Sequence, residues 1–242
     1  MTRPSALLLA EAQGAVSGMP NLLARLSEPD RARVLALGRP RTLERGEAVF
    51  RQGDPHIGIF LVESGLIRVF YTAPSGREIT LAYWYPGNFV GGPEVFGGGT
   101  HVWSGIAARR STVLALAGGE LKRLIGQMPE LGIGIIEGLV FKGKCYSTLA
   151  QMLGTRSVTE RLSLLLRSLC ELYGIEEEGG IFIGAAFTHE DLAHMVGATR
   201  QWVTMTLKRF QQQGVLRFKR GQLTILRPDL LEQAGGAGDE TR

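Results

Sequence analysis

The sequence predicts an α+β protein made of an N-terminal antiparallel β-roll, a long dimerisation helix and a C-terminal winged helix-turn-helix. Three observations carry that expectation. Between Arg41 and Ala117, short alternating apolar runs are broken by glycine turns. From Glu130 to Leu153, apolar and small residues follow a four-three helical spacing. From Phe187 onward, two helical patterns are split by Gly197 and followed by a basic two-strand pattern. The 242 residues, 44% of them hydrophobic, exceed the ~100–150 of a typical domain and suffice for two cores.

Taken in order, residues 1–20 follow no sustained period and read as a flexible tail. The roll is expected over 21–128. It starts with a short helical lead-in through Leu22, Leu23, Leu26, Val34 and Leu37, for which Ser27 before Glu28-Pro29-Asp30 is a start signal. Strands follow at Ala48–Phe50, Gly58–Val62, Leu66–Tyr71 and Ile79–Trp84. Turns are expected at Gly46, Gly53-Asp54-Pro55, Gly65, Ser75-Gly76 and Pro86-Gly87-Asn88.

The helix over 129–154 places Ile136, Leu139, Gly143, Tyr146, Ala150 and Leu153 on one stripe. That stripe is either a dimer interface or a face packed on the chain's own roll; periodicity alone allows both. Gly143 within it costs about 1 kcal/mol of helix stability relative to alanine, which close backbone approach would explain.

The DNA-binding unit is expected over 155–230. A helix starting near Ser157 carries Leu162, Leu165, Leu166 and Leu169 on one face and ends near Gly174. In FTHEDLAHMVGATRQWVTMTLKRFQQQGVL, Thr188 and Asp191 have capping-box spacing and Thr199 can cap the second helix. Val203, Leu207 and Phe210 then share one face, whereas Arg200, Gln201, Thr204, Met205 and Lys208 occupy the other. A glycine turn between two helices, with a basic polar face on the second, suits a helix that reads base edges in the major groove of double-stranded DNA. Leu216–Leu226 reads as a wing around a Lys219-Arg220 turn. Residues 231–242, glycine-rich and polar, read as a second flexible tail.

The formal net charge is only +4, but Arg200, Lys208, Arg209, Arg217, Lys219, Arg220 and Arg227 crowd the last third, as binding to a polyanion requires. The two cysteines, Cys145 and Cys170, both fall in helical segments, so a disulfide framework or cysteine-rich metal site is not expected. The apolar run Ala6–Ala10 is too short for a signal core or membrane span. A cytoplasmic protein with no membrane contact is expected.

The order of roll, long helix and winged helix-turn-helix resembles the Crp/Fnr family of bacterial regulators over residues 20–228. GLIRVFYTAPSGREITLAYWYPGNFVGGPEVF follows that family's sensor pattern, with a cyclic-nucleotide-binding-like roll, and VGATRQWVTMTLKRFQQQGVL resembles its recognition helix. The resemblance implies a transcription regulator, homodimeric on a palindromic operator and allosterically controlled, with RNA polymerase as partner if it activates. Arg200 matches the arginine that reads guanine, in keeping with the bidentate fit of a guanidinium to O6 and N7. Gln201, Thr204 and Met205 complete the base-reading set, Gln201 and Met205 standing where a cyclic-AMP-dependent member has glutamate and arginine. Thr188, Thr199 and Lys208 match phosphate-holding positions, and Lys219 and Arg220 add cations.

In nucleotide-binding members of the family, a glutamate and an Arg-Ser pair hold the ribose and cyclic phosphate; here those positions are Gly92, Val102 and Trp103. Cyclic AMP is therefore not the expected effector, unless Arg109 or Arg110 reaches inward. Tyr146 and Ser147 match the pair that meets the base. Together with Tyr83, Trp84 and His101, these residues outline a pocket for a small apolar or aromatic effector, or else fill a collapsed roll. No cysteine cluster supports an iron-sulfur centre. Haem stays open, with His101 or Cys145 as axial ligand, which would make a gas or redox sensor; an effector-independent regulator also stays open. No catalytic or metal residues are expected. The enzyme rival, a cupin-like metal site, requires clustered ligands, whereas His56, His101, His189 and His194 are scattered.

Overall fold

The computed structural model describes residues 20–177, 179–185, 187–219 and 222–231. The two expected tails, apart from Pro20 and Leu231, lie outside these residues, as does Arg220. The N-terminal region opens with α1 (Glu28–Leu37), whose cap is Ser27, accepting from the Asp30 amide, with proline in the first turn. Leu22, Leu23 and Leu26 precede this helix in turns. Asn21 takes the Leu23 amide on its side-chain oxygen, and Leu22 donates to the Gly87 carbonyl, so local polar bonds outcompete helix here.

The roll comprises β1 (Arg39–Leu43), β2 (Ala48–Phe50), β3 (Gly58–Thr72), β4 (Glu78–Trp84), β5 (Phe89–Val90) and β6 (Ser104–Ala117). All pairs are antiparallel in the order β1-β6-β3-β4, with β2 on β6 and β5 on β3. The glycine at position 65, expected to be a turn, lies inside the continuous strand β3. Its φ is +87°, the β3–β6 register shifts on either side of it, and a Cβ there would collide with Ser111 Oγ. It is a bulge that bends one long strand, which a sequence pattern cannot distinguish from a turn between two short ones.

After β6 come α2 (Gly118–Gln127), α3 (Pro129–Thr155) and α4 (Val158–Tyr173). Ser157 and Glu160 form a reciprocal capping box at the start of α4. Next are β7 (Gly174–Glu177), β8 (Gly180–Ile183), α5 (His189–Val196), α6 (Arg200–Gln212), β9 (Leu216–Lys219) and β10 (Gln222–Ile225). The wing strands belong to a four-stranded sheet ordered β7-β8-β10-β9. The β7–β8 hairpin and α2 are additions to the sequence reading.

Three clusters form the core. Phe50, Phe60, Trp84, Phe141 and Cys145 fill the roll. Leu22, Leu26, Phe89, Leu121, Leu131 and Ile135 seal its underside. Leu162, Leu166, Leu192, Val203, Leu207 and Phe210 hold the winged helix together. The close seat of α3 on the roll depends on glycine, because a Cβ at Gly138 would run into the Phe89 ring. Among the described residues, no helix is long and apolar enough to cross a membrane.

The stripe expected at a dimer interface divides in two. Ile136, Gly143 and Ala150 are exposed, whereas Leu139, Tyr146 and Leu153 are half-buried against the chain's own cores. The exposed line along α3 instead runs through Ile133, Ile136, Val140, Gly143, Ser147 and Ala150. Both long sides of α3 are apolar, so its sequence period could not tell the self-packed side from the free one.

Candidate nucleic-acid interface and roll interior

The helix pair α5–α6 is positioned by local bonds. Thr188 accepts from the Asp191 amide, and the Asp191 carboxylate accepts from the Thr188 amide and hydroxyl, the latter at 2.7 Å. Gly197 ends α5 in the left-handed region (φ +67°), and its amide and that of Ala198 both return to the Ala193 carbonyl. From α4, the buried Arg161 donates to the Val196 carbonyl at 2.9 Å and to the Arg156 carbonyl at 2.8 Å, tying the turn to the domain core. Thr199 caps α6 by accepting from the Trp202 amide.

Val203, Leu207 and Phe210 are buried, which leaves Arg200, Gln201, Thr204, Met205 and Lys208 exposed on the other side of α6. Met205, at 62% exposure, is among the most exposed large apolar side chains described. The first turn of α6 contains no acid, so its positive end adds to the charge of Arg200. Thr188, Thr199 and Lys219 are exposed around this face. Trp202 packs against the winged-helix core. The sequence reading missed His189, whose Nδ1 lies 2.8 Å from Thr204 Oγ1 and whose ring lies 4.7 Å from that of Phe218.

The residues expected to line an effector pocket separate by strand alternation. Ala82 and Trp84 belong to the cluster inside the roll, whereas Tyr83 between them takes the other face of β4. Tyr83 therefore packs against the winged-helix core, and burial pushes its pKa up to about 12. Val102 is 46% exposed and Ser147 lies on the free side of α3, so neither lines the interior. Trp84, Gly92, His101, Trp103 and Tyr146 remain on the inner side. Trp84 meets Phe141 edge-on at 6.2 Å, and Trp103 lies 5.5 Å from Tyr146 while donating to the Gly91 carbonyl.

Two groups that the sequence reading did not assign to the interior belong there. His56 accepts the Gly92 amide on Nε2 at 2.6 Å, and its ring lies 4.3 Å from that of His101, which stacks on Phe50 at 4.2 Å. Burial, with His56 adding like charge, lowers the His101 pKa to about 4. Lys142 is buried on α3; its Nζ donates to the Phe89 carbonyl at 2.7 Å and sits 3.6 Å above the Trp84 ring. Burial lowers its pKa to about 7. The signal for Lys142 was its helical phase, since Gly138, Cys145 and Leu149 occupy the same buried side. A cavity of about 10 Å³ lies beside Trp84, Phe89 and Lys142, room for a single water. Burial pushes the Cys145 thiol up to about 11, away from the thiolate that binds iron. Among the described residues, no group of three or more His, Cys, Asp or Glu side chains could hold a metal ion.

A polar cluster joins the two halves of the chain. Arg68 pairs with Glu78 at 2.6 Å, His194 on α5 lies 3.7 Å from the same Glu78 oxygen, and Gly197 abuts Ile79 and Leu153.

Comparison with known proteins agrees with this geometry. Residues 40–128 match the model of the cyclic nucleotide-binding domain, and residues 160–234 match that of the Crp-like helix-turn-helix domain. The chain is 26% identical over 182 residues to the CRP-like cAMP-activated global transcriptional regulator of Mycobacterium tuberculosis, covering 75% of this chain and 81% of that protein. It is 24% identical over 192 residues to the global nitrogen regulator of Synechococcus elongatus, covering 78% and 86% respectively. Its fold is similar to that of the c-di-GMP responsive global regulator CLP of Xanthomonas campestris, with a TM-score of 0.75 at 22% identity over 82% of this chain and 99% of that one.

Proposed function

The chain belongs to the Crp/Fnr family of transcription regulators, and from that premise we propose that it binds a palindromic operator as a homodimer under the control of an effector other than cyclic AMP. It is a DNA-binding regulator and not an enzyme. The observation that carries the proposal is the two-sided character of α6, with Val203, Leu207 and Phe210 buried and Arg200, Gln201, Thr204 and Met205 facing out. In this reading Arg200 addresses guanine, while Thr188, Thr199, Lys208 and Lys219 contact phosphates. Arg220, outside the described residues, is a further phosphate candidate from the sequence. The free side of α3, with Ile136 60% and Val140 54% exposed, supports pairing with a second copy. The regulator acts on DNA in the cytoplasm, and contact with RNA polymerase is expected where it activates.

The relatives' names include one cAMP-activated and one c-di-GMP responsive regulator, so membership leaves the effector open. This chain's own residues argue against a cyclic phosphate: Gly92 offers no carboxylate, Val102 faces solvent, and Trp103 spends its N–H on Gly91. A small apolar or aromatic effector meeting Trp103 and Tyr146 fits the inner side better. Such a ligand acts by favouring one placement of the α3 helices, because a palindromic site demands recognition helices roughly 34 Å apart.

Operator selection from random DNA, followed by titration of Arg200→Ala, tests the proposal. Specific affinity is expected to fall by about 1–3 kcal/mol, with binding to random DNA far less affected. Unchanged specific affinity would remove Arg200 as a base reader.

A further inference from the structure

Resting on the reading of α6 as the recognition helix, we infer that His189 is a positioning residue that turns the methyl group of Thr204 toward the DNA, where it selects the 5-methyl of thymine. The Thr204 hydroxyl donates its one proton to the Arg200 carbonyl, four residues back, at 2.9 Å. The contact with His189 Nδ1 at 2.8 Å must then run the other way, with the imidazole donating from Nδ1 to Thr204 Oγ1. A β-branched side chain on a helix has few rotamers, and the bond to the preceding turn selects one of them. With Oγ1 held between the helix backbone and α5, Cγ2 is the group left on the exposed side.

The imidazole is itself held. Its ring packs on Phe218 of β9, so one side chain links α5, α6 and the wing. Burial, reinforced by the nearby Arg200, lowers its pKa and so disfavours the doubly protonated ring. Its Nε2 is buried without a partner among the described residues, so Nδ1 is the working nitrogen. In the major groove thymine alone presents a methyl group, and a threonine methyl is a suitable apolar contact for it. A hydroxyl-led contact would instead use the remaining lone pair of Oγ1 to accept from cytosine N4 or adenine N6. The two modes predict opposite responses.

The test uses the full-length protein on its selected operator, with each thymine of a half-site replaced in turn by deoxyuracil. At one position the loss of the methyl is expected to weaken binding roughly fourfold, the worth of one buried methyl. Thr204→Val should keep this preference and Thr204→Ser should lose it. His189→Ala should also lose it, while His189→Asn, whose amide nitrogen can donate from the place of Nδ1, should restore it at unchanged melting temperature. If no uracil substitution weakens binding, or if Thr204→Ser discriminates as well as the parent, the inference is overturned. Arg200→Ala separates the levels. If it abolishes selectivity while uracil is tolerated, only the methyl contact falls; if selectivity survives Arg200→Ala, the reading of α6 falls with it.

Discussion

His101 shows how a single buried ring makes the roll sensitive to acid. In the folded chain its pKa is about 4, while an unfolded histidine titrates near 6.5. Between those values the unfolded state binds the extra proton, so stability is lost as pH falls from about 6.5 to about 4. Replacing His101 with phenylalanine, which can keep the stack on Phe50, should flatten this loss. Urea denaturation at stepped pH reads the difference, which is of order 3 kcal/mol at the acid end. Parallel curves for the two proteins would show that His101 is not the group responsible. His189 illustrates the same scale on α5, where, in the inference above, one donor bond decides which atom of Thr204 faces the groove.

At the scale of elements, Lys142 fastens α3 to β5 through the Phe89 carbonyl and to β4 through the Trp84 ring. Its charge is costly to bury, which is why its pKa falls from 10.5 to about 7. The sign is that of a depressed base. The penalty to folding is full below about pH 7 and is relieved as pH rises toward 10.5, where the unfolded lysine also becomes neutral. The parent protein is therefore expected to gain stability across that window relative to Lys142→Met, a change measured by chemical denaturation at pH 7 and pH 10. Equal slopes for the two proteins would contradict the burial argument. The same element shows why glycine content was informative: Gly138 lets α3 lie against Phe89, whereas Gly143 faces open space and has no such role within one chain.

For the whole molecule, what matters is how two chains meet and how the roll addresses the winged helix. Within one chain the outer face of β4 already touches α5, through the Arg68–Glu78–His194 cluster and through Ile79 against Gly197. In the proposed reading, a shift of the roll would reach the helix pair through this contact as well as along α3. The free apolar side of α3 supplies the dimer prediction. Ile136→Asp combined with Val140→Asp should convert the protein to a monomer by analytical ultracentrifugation while leaving the secondary structure intact. Because two linked half-site contacts are lost together, operator affinity should fall by a factor of 100 or so. A variant that still sediments as a dimer would move the interface elsewhere.

The sequence by itself determined the order of roll, long helix and winged helix-turn-helix. It also determined the two-sided character of α6 and the capping of α5 by Thr188 and Asp191, because each is written in local periods and in residues that bond within three or four positions. Tertiary structure decided what local pattern leaves degenerate. It made Gly65 a bulge inside β3 because β6 runs alongside. It sent Tyr83 to the winged helix and Trp84 into the roll because neighbouring strand residues face opposite ways, and the sheet's two faces have different partners. It assigned one apolar side of α3 to the roll and left the other free, since a helix apolar on both sides carries no label for its neighbour. The His56–His101 ring contact and the His189–Thr204 bond likewise join residues on different elements, and their chemistry exists only once the fold has brought them into contact.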